Sequence, residues 1–148
     1  MLTVRAEDPG TPDAVILLDA LSATLAAITG DSGGSSFDVA EMKLAGALFA
    51  VARDGQGRPV GCGALRPLAP AVAELKRMVS TQRGVGSALL GFLEAEAAAM
   101  GYQAVWLSTR TINTRAVRFY LQHGYATIPG YGKYAGSEAS TCFAKQLG

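Results

Sequence analysis

The sequence predicts a mixed α/β fold, a sheet with helices packed on it, and three stretches carry that reading. Leu48 to Arg53 and Pro59 to Leu68 are apolar runs flanking Asp54-Gly55-Gln56-Gly57, whose turn chemistry makes them an antiparallel hairpin. Val72 to Ser80, a glycine turn, the apolar helical pattern Val85 to Met100 and the compact strand Ala104 to Thr109 follow in order, which favours a right-handed parallel crossover. Asn113 to Gly124 then reads as a helix with a capping residue at one end and a glycine stop at the other.

Ahead of these, Leu2 to Ala6 reads as a short strand. Thr11 caps a helix with Pro12 in its first position, and Val15, Leu18, Leu21, Leu25 and Ile28 recur at helical spacing until Gly30. This most apolar run contains Asp19 and is short for a bilayer span, so it is expected to be a packed helix rather than an anchor. Asp31 to Ser36 is expected to be loop, with Ser36 or Asp38 capping a second short helix through about Ala45. Thr141 to Lys145 is the final strand, after an irregular segment from Ile128 to Gly136 rich in tyrosine, glycine and lysine.

The stretch with most chemical content is Val72 to Ala88. Glu74, Lys76 and Arg77 lie inside a strand whose neighbours place it centrally, and buried charge is costly unless paired or solvated by a cleft. The alternative is an edge strand with a solvated face. Strict alternation puts Glu74, Lys76 and Met78 on one face and Leu75, Arg77 and Val79 on the other; a bulge would exchange the downstream assignments. Arg83-Gly84-Val85-Gly86-Ser87-Ala88 then opens the helix. The first amides of a helix lack internal partners and carry partial positive charge, so a glycine turn there suits phosphate oxygens, although a tight turn explains the same glycines.

Asn113 and Tyr120 stand seven residues apart, so on a helix they point nearly the same way, roughly 10 Å apart along the axis. One extended ligand could touch both. Arg115 and Arg118 add positive charge nearby. His123, the single histidine, is open to use as a general base but sits where a basic side chain meets the negative end of a helix, and that capping role is favoured.

The chain has 148 residues, 49% of them hydrophobic, and a net charge of +1. That is one globular domain over residues 1–148, and the near balance of charge argues against a dedicated nucleic-acid binder. No apolar export signal opens the chain and no ligand-spaced cluster points to a metal. Cys62 and Cys142 read as reduced core thiols, in keeping with a cytoplasmic protein that binds no membrane.

Taken together, Glu74-Leu75-Lys76-Arg77-Met78-Val79, Gly84-Val85-Gly86-Ser87-Ala88-Leu89-Leu90, Asn113 through Tyr120 and Gly124-Tyr125 resemble the Gcn5-related N-acetyltransferase family. The ending, Tyr131-Gly132-Lys133-Tyr134 followed by Ser140 to Lys145, looks like its bacterial small-molecule branch. The resemblance implies a mixed, mostly antiparallel sheet of six or seven strands, helices on both faces, and a cleft where two parallel strands splay apart to hold acetyl-CoA. It implies that the amides of Gly84, Gly86, Ser87 and Ala88, with Arg83, hold the pyrophosphate. Met78 and Val79 would offer backbone groups to the pantetheine arm, and Asn113 and Arg115 would contact arm or phosphates. Tyr120 matches the tyrosine that protonates the departing thiolate, and Glu74 the region where some members place a base. One departure is visible: only Ser80-Thr81-Gln82 separates Val79 from Arg83, shorter than the family connection. Either Arg83 fills the family's arginine place or Thr81 does.

The expected activity is therefore transfer of an acetyl group from acetyl-CoA to the primary amine of a small molecule by direct attack. The rivals are a sensor module that holds acyl-CoA without turnover, and a protein N-acetyltransferase. Arg66, Lys76, Arg77 and Tyr131 are the candidate acceptor-binding residues, and their cations suggest an acceptor with a carboxylate. A homodimer through the last strands is compatible with the pattern.

Overall fold

A computed structural model describes residues 1–30 and 39–148. Seven strands form one sheet: β1 (Thr3–Ala6), β2 (Leu48–Arg53), β3 (Pro59–Ala69), β4 (Val72–Ser80), β5 (Ala104–Arg110), β6 (Ala126–Ile128) and β7 (Ser140–Gln146), in the spatial order β1-β2-β3-β4-β5-β7-β6. Every neighbouring pair is antiparallel except β4 with β5. Three helices cover it: α1 (Pro12–Thr29), α2 (Val85–Ala99) and α3 (Thr114–Gln122). Short 3₁₀ turns occur at Val39–Lys43 and Gly132–Tyr134. The expected loop Asp31 to Ser36, and the caps Ser36 and Asp38, lie outside the described residues.

The two faces of the sheet carry separate cores. On one, α1 packs Ala14, Leu17 and Leu18 against Phe49, Val51, Cys62, Ala64 and Val79. On the other, α2 packs Val85, Leu89, Leu90 and Leu93 against the sheet, joined by Tyr120 of α3 and Phe143 of β7. α1 starts as the sequence predicts, with the Thr11 hydroxyl accepting from the Ala14 amide, and stops at left-handed Gly30. Its buried stripe differs from the expected one. Ala14 and Leu17 join Leu18 in facing the sheet, whereas Val15 and Ile28 are exposed. By length and composition α1 reaches what a membrane crossing requires, and its inner face is packed on the sheet.

The hairpin turn is held by Asp54, whose carboxylate accepts from the Gln56 and Arg58 amides at 2.9 and 3.0 Å. β6 is an element that the sequence reading did not resolve. Three residues are too few for alternation to register, and the strand exists through its pairing with β7. β7 lies between β5 and β6, so on that side of the sheet only β6 presents an open edge to another copy of the chain. Cys62 and Cys142 are buried free thiols, and burial pushes Cys62 up to about 12.

The close seat of α2 depends on two glycines of β3. A Cβ at Gly61 would lie 2.5 Å from Val85 Cγ1 and 2.6 Å from the Val79 carbonyl oxygen, and one at Gly63 would lie 2.8 Å from Leu93 Cδ1. Gly61→Ala is therefore expected to destabilise the fold by about 1–3 kcal/mol through overpacking, read as a lower urea midpoint at unchanged slope. A midpoint equal to that of the unaltered chain would show that α2 can shift without loss.

Candidate active site

The cleft begins where a ladder ends. β4 and β5 are paired at Val72 with Ala104, Ala73 with Val105 and Glu74 with Trp106, and beyond that register they part. Parallel strands that separate leave backbone groups without their sheet partners, so the gap is polar along its walls. It encloses a cavity of about 420 Å³.

A bulge in β4 decides which side chains enter. Cys62 pairs with Val79 and Ala64 with Lys76, so Gly63 stands opposite two residues, Arg77 and Met78. Arg77 takes φ 56°, the one positive φ outside glycine among the described residues. Its carbonyl accepts from the Cys62 thiol at 3.5 Å and its guanidinium donates to the Ser22 hydroxyl at 2.7 Å. Strict alternation is thus overturned beyond Lys76. Arg77 and Val79 turn to the α1 face, and Met78 turns to the α2 face beside Leu93.

Of the sequence-predicted residues, Glu74, Lys76, Arg77, Met78, Asn113 and Tyr120 line this one cavity. Tyr120 is 7% exposed and burial holds its phenol well above the ordinary tyrosine value, so it is a proton donor at neutral pH. Its hydroxyl bonds to no protein group among the described residues. Asn113 both caps α3, accepting from the Ala116 amide at 3.4 Å, and faces the cavity.

Glu74 is placed differently from a ready base. It is 1% exposed, and both carboxylate oxygens are taken: Oε1 accepts from Arg66 Nε at 2.5 Å and Oε2 from the Tyr131 hydroxyl at 2.6 Å. Arg66, Glu74 and Trp106 stand in register across β3, β4 and β5, and Tyr131 packs on Trp106 with ring centroids 5.4 Å apart. Arg66 also bonds Glu41 at 2.7 Å. Arg66 and Tyr131, expected on the acceptor, bond Glu74 and are not among the residues that line the cavity.

At the open end of the wedge, Gly84 takes φ 86° and caps α2 without a side chain. The Ala88 amide already donates to the Gly84 carbonyl at 3.2 Å, so it is not one of the free turn donors expected. The Gly86 and Ser87 amides are the second and third of the helix, where no helical carbonyl can reach. Arg83 is exposed in the turn, and Arg115 is exposed in the first turn of α3. The short connection is pinned by Thr81, whose amide and hydroxyl both donate to the Val60 carbonyl, at 3.0 and 2.8 Å. His123 joins the end of α3 to the start of α2 through Phe119 O and Ser87 Oγ, each at 2.8 Å, consistent with its capping role.

Residues 29–125 match the Acetyltransferase (GNAT) family. The chain belongs to that family. As a GNAT protein it is an acetyl-CoA-dependent acetyltransferase. It is 29% identical to an IAA acetyltransferase of Azospirillum brasilense over 99% of this chain and 98% of that one. Its fold is similar to that of a Klebsiella pneumoniae protein assigned as an acyl-CoA N-acyltransferase, with a TM-score of 0.85, 26% identity and coverage of 100% and 99%. An aminoglycoside 6'-N-acetyltransferase complexed with coenzyme A shares the fold at a TM-score of 0.68, 20% identity and coverage of 98% and 97%.

Leu21 and Leu25 of α1, which helical spacing assigns to packing, also line the GNAT cleft, together with Lys133 and Tyr134 from the loop before β7. Helical periodicity marks the leucines as inward-facing without telling whether the inside is core or cleft. Removing one partner of a buried pair leaves the other charge uncompensated, so Arg66→Met is expected to cost about 3 kcal/mol in urea unfolding. Adding Glu74→Gln should recover part of that loss; a double variant less stable than the single would show that Glu74 is held chiefly by Tyr131.

Proposed function

We propose that this acetyltransferase moves the acetyl group of acetyl-CoA to the primary amine of a small molecule, by direct attack within the wedge between β4 and β5. The observation that carries the reading is the Tyr120 hydroxyl: buried, protonated, without a partner among the described residues, and on a residue that lines the cavity. A thiolate leaving group needs such a donor.

The residues present fit an acyl-CoA. The Gly86 and Ser87 amides at the positive end of α2 suit the diphosphate, with Arg83 and Arg115 exposed to meet phosphate charge. Beyond Glu74, the edge of β4 at Met78 and Val79 lacks a β5 partner and can pair with the amides of a pantetheine arm. Asn113 offers its side chain from the opposite wall. When bound, acetyl-CoA supplies the activated thioester.

As the carbon–nitrogen bond forms and the carbon–sulfur bond breaks, the nitrogen gives up its second proton to solvent, while Tyr120 delivers its proton to the departing sulfur and regains one from solvent. Because an ammonium is not a nucleophile, the amine first gives a proton to water in the cleft; Glu74, with both oxygens already accepting, holds Arg66 and Tyr131 in place.

Tyr120→Phe removes one oxygen and leaves the ring packing intact. Its kcat is expected to fall about 100-fold at neutral pH, with acetyl-CoA affinity by calorimetry nearly unchanged. Undiminished turnover would assign the proton to water or another tyrosine.

A further inference from the structure

Lys76, Arg77, Arg110 and Lys133 are cations that line the cavity, and the transfer chemistry uses none of them. Lys76 has a side chain only 10% exposed, yet it lines the cavity. Its closest counter-charge, Glu74 Oε1, is 3.8 Å away, beyond hydrogen-bond distance, and that oxygen already accepts from Arg66. Among the described residues no hydrogen-bond acceptor reaches the Lys76 ammonium. Buried ammonium groups are normally satisfied, so three donors aimed into a cleft mark a place for an anion.

Two neighbouring features narrow the anion. Arg66, the other cation beside Glu74, is occupied by Glu41 and Glu74 and lies outside the cavity wall, so it does not compete for a ligand. Leu21 and Leu25 of α1 line the same cavity and give it a hydrocarbon wall. The groups around Lys76 are Glu74, Glu41, Arg66 and Lys133. Burial lowers its pKa and Glu74 acts against that shift; a second carboxylate brought against the ammonium would hold the proton in place.

Building on the transferase reading above, we propose that the acceptor is a small amino carboxylate with a hydrocarbon portion, and that the Lys76 ammonium receives its carboxylate. The amine then faces Tyr120 and Asn113, the hydrocarbon lies against Leu21 and Leu25, and Lys76 sets specificity without touching the bonds that change.

The test is a panel of apolar amino acids, each compared with its carboxamide and with the amine lacking the carboxyl group, read as thiol release from acetyl-CoA. The carboxamide keeps the shape and has the more readily deprotonated amine, so a rate advantage of the acid reports its charge. The acids are expected to exceed their carboxamides about tenfold or more in kcat/KM. Lys76→Met should bring that ratio close to one, mainly by raising KM for the acid, while Lys76→Arg should retain a preference for the acid. Calorimetry with acetyl-CoA on each variant confirms a folded site. Thiol release with neutral amines and no advantage for the acids would overturn this proposal and leave the transferase reading standing, as would an advantage that survives in Lys76→Met. Thiol release with no amine at all would overturn both.

Discussion

Everything in the site follows from the separation of β4 and β5 after Glu74 and Trp106. Continued pairing would satisfy the backbone groups of both strands and fill the space with side chains. Instead, α2 is drawn close to β3 by Gly61 and Gly63, and the bulge at Arg77 turns β4 as it leaves its neighbour. The lost ladder bonds are the source of the polarity of the cleft. An exposed strand edge, a helix start with free amides and a buried phenol all meet at that opening.

The charge cluster at the base of the wedge explains how a central strand tolerates ionised residues. Glu74 is fully enclosed, and its two oxygens are met by Arg66 and Tyr131 in a geometry that follows from register: Arg66, Glu74 and Trp106 are cross-strand neighbours, and Tyr131 lies over Trp106. Burial raises the Tyr131 pKa, and the bond to Glu74 adds to the shift, so the phenol remains a donor. The cluster fixes the last paired rung, and beyond it Lys76 and Arg77 are free to meet the cleft and α1. A carboxylate that looks catalytic in the sequence is here the anchor of the position at which the sheet opens.

The same separation divides the labour between the two sheet faces. The α2 face contributes Tyr120 and the helix start, both suited to an acyl carrier. The α1 face contributes Lys76, Leu21 and Leu25, which suit an acceptor. Because the bulge places Arg77 and Val79 on the α1 side and Met78 on the α2 side, a single extra residue in β4 sets which chemistry each face offers.

Much of this was legible in the letters. The hairpin about Asp54, the glycine turn, the caps Thr11 and Asn113 and the stop at Gly30 are local, so short-range backbone and hydrogen-bonding rules determine them. The convergence of Asn113 and Tyr120 on one cavity also followed from helical spacing. What the sequence left undecided depends on contacts between distant residues. The bulge that reverses Met78, the engagement of both Glu74 oxygens, the existence of β6 and the entry of Leu21 and Lys133 into the cleft depend on partners 8 to 57 positions away or on packing across the sheet. Alternation and helical period say which side chains turn inward; only the assembled sheet decides whether inward means core, ion pair or open cleft.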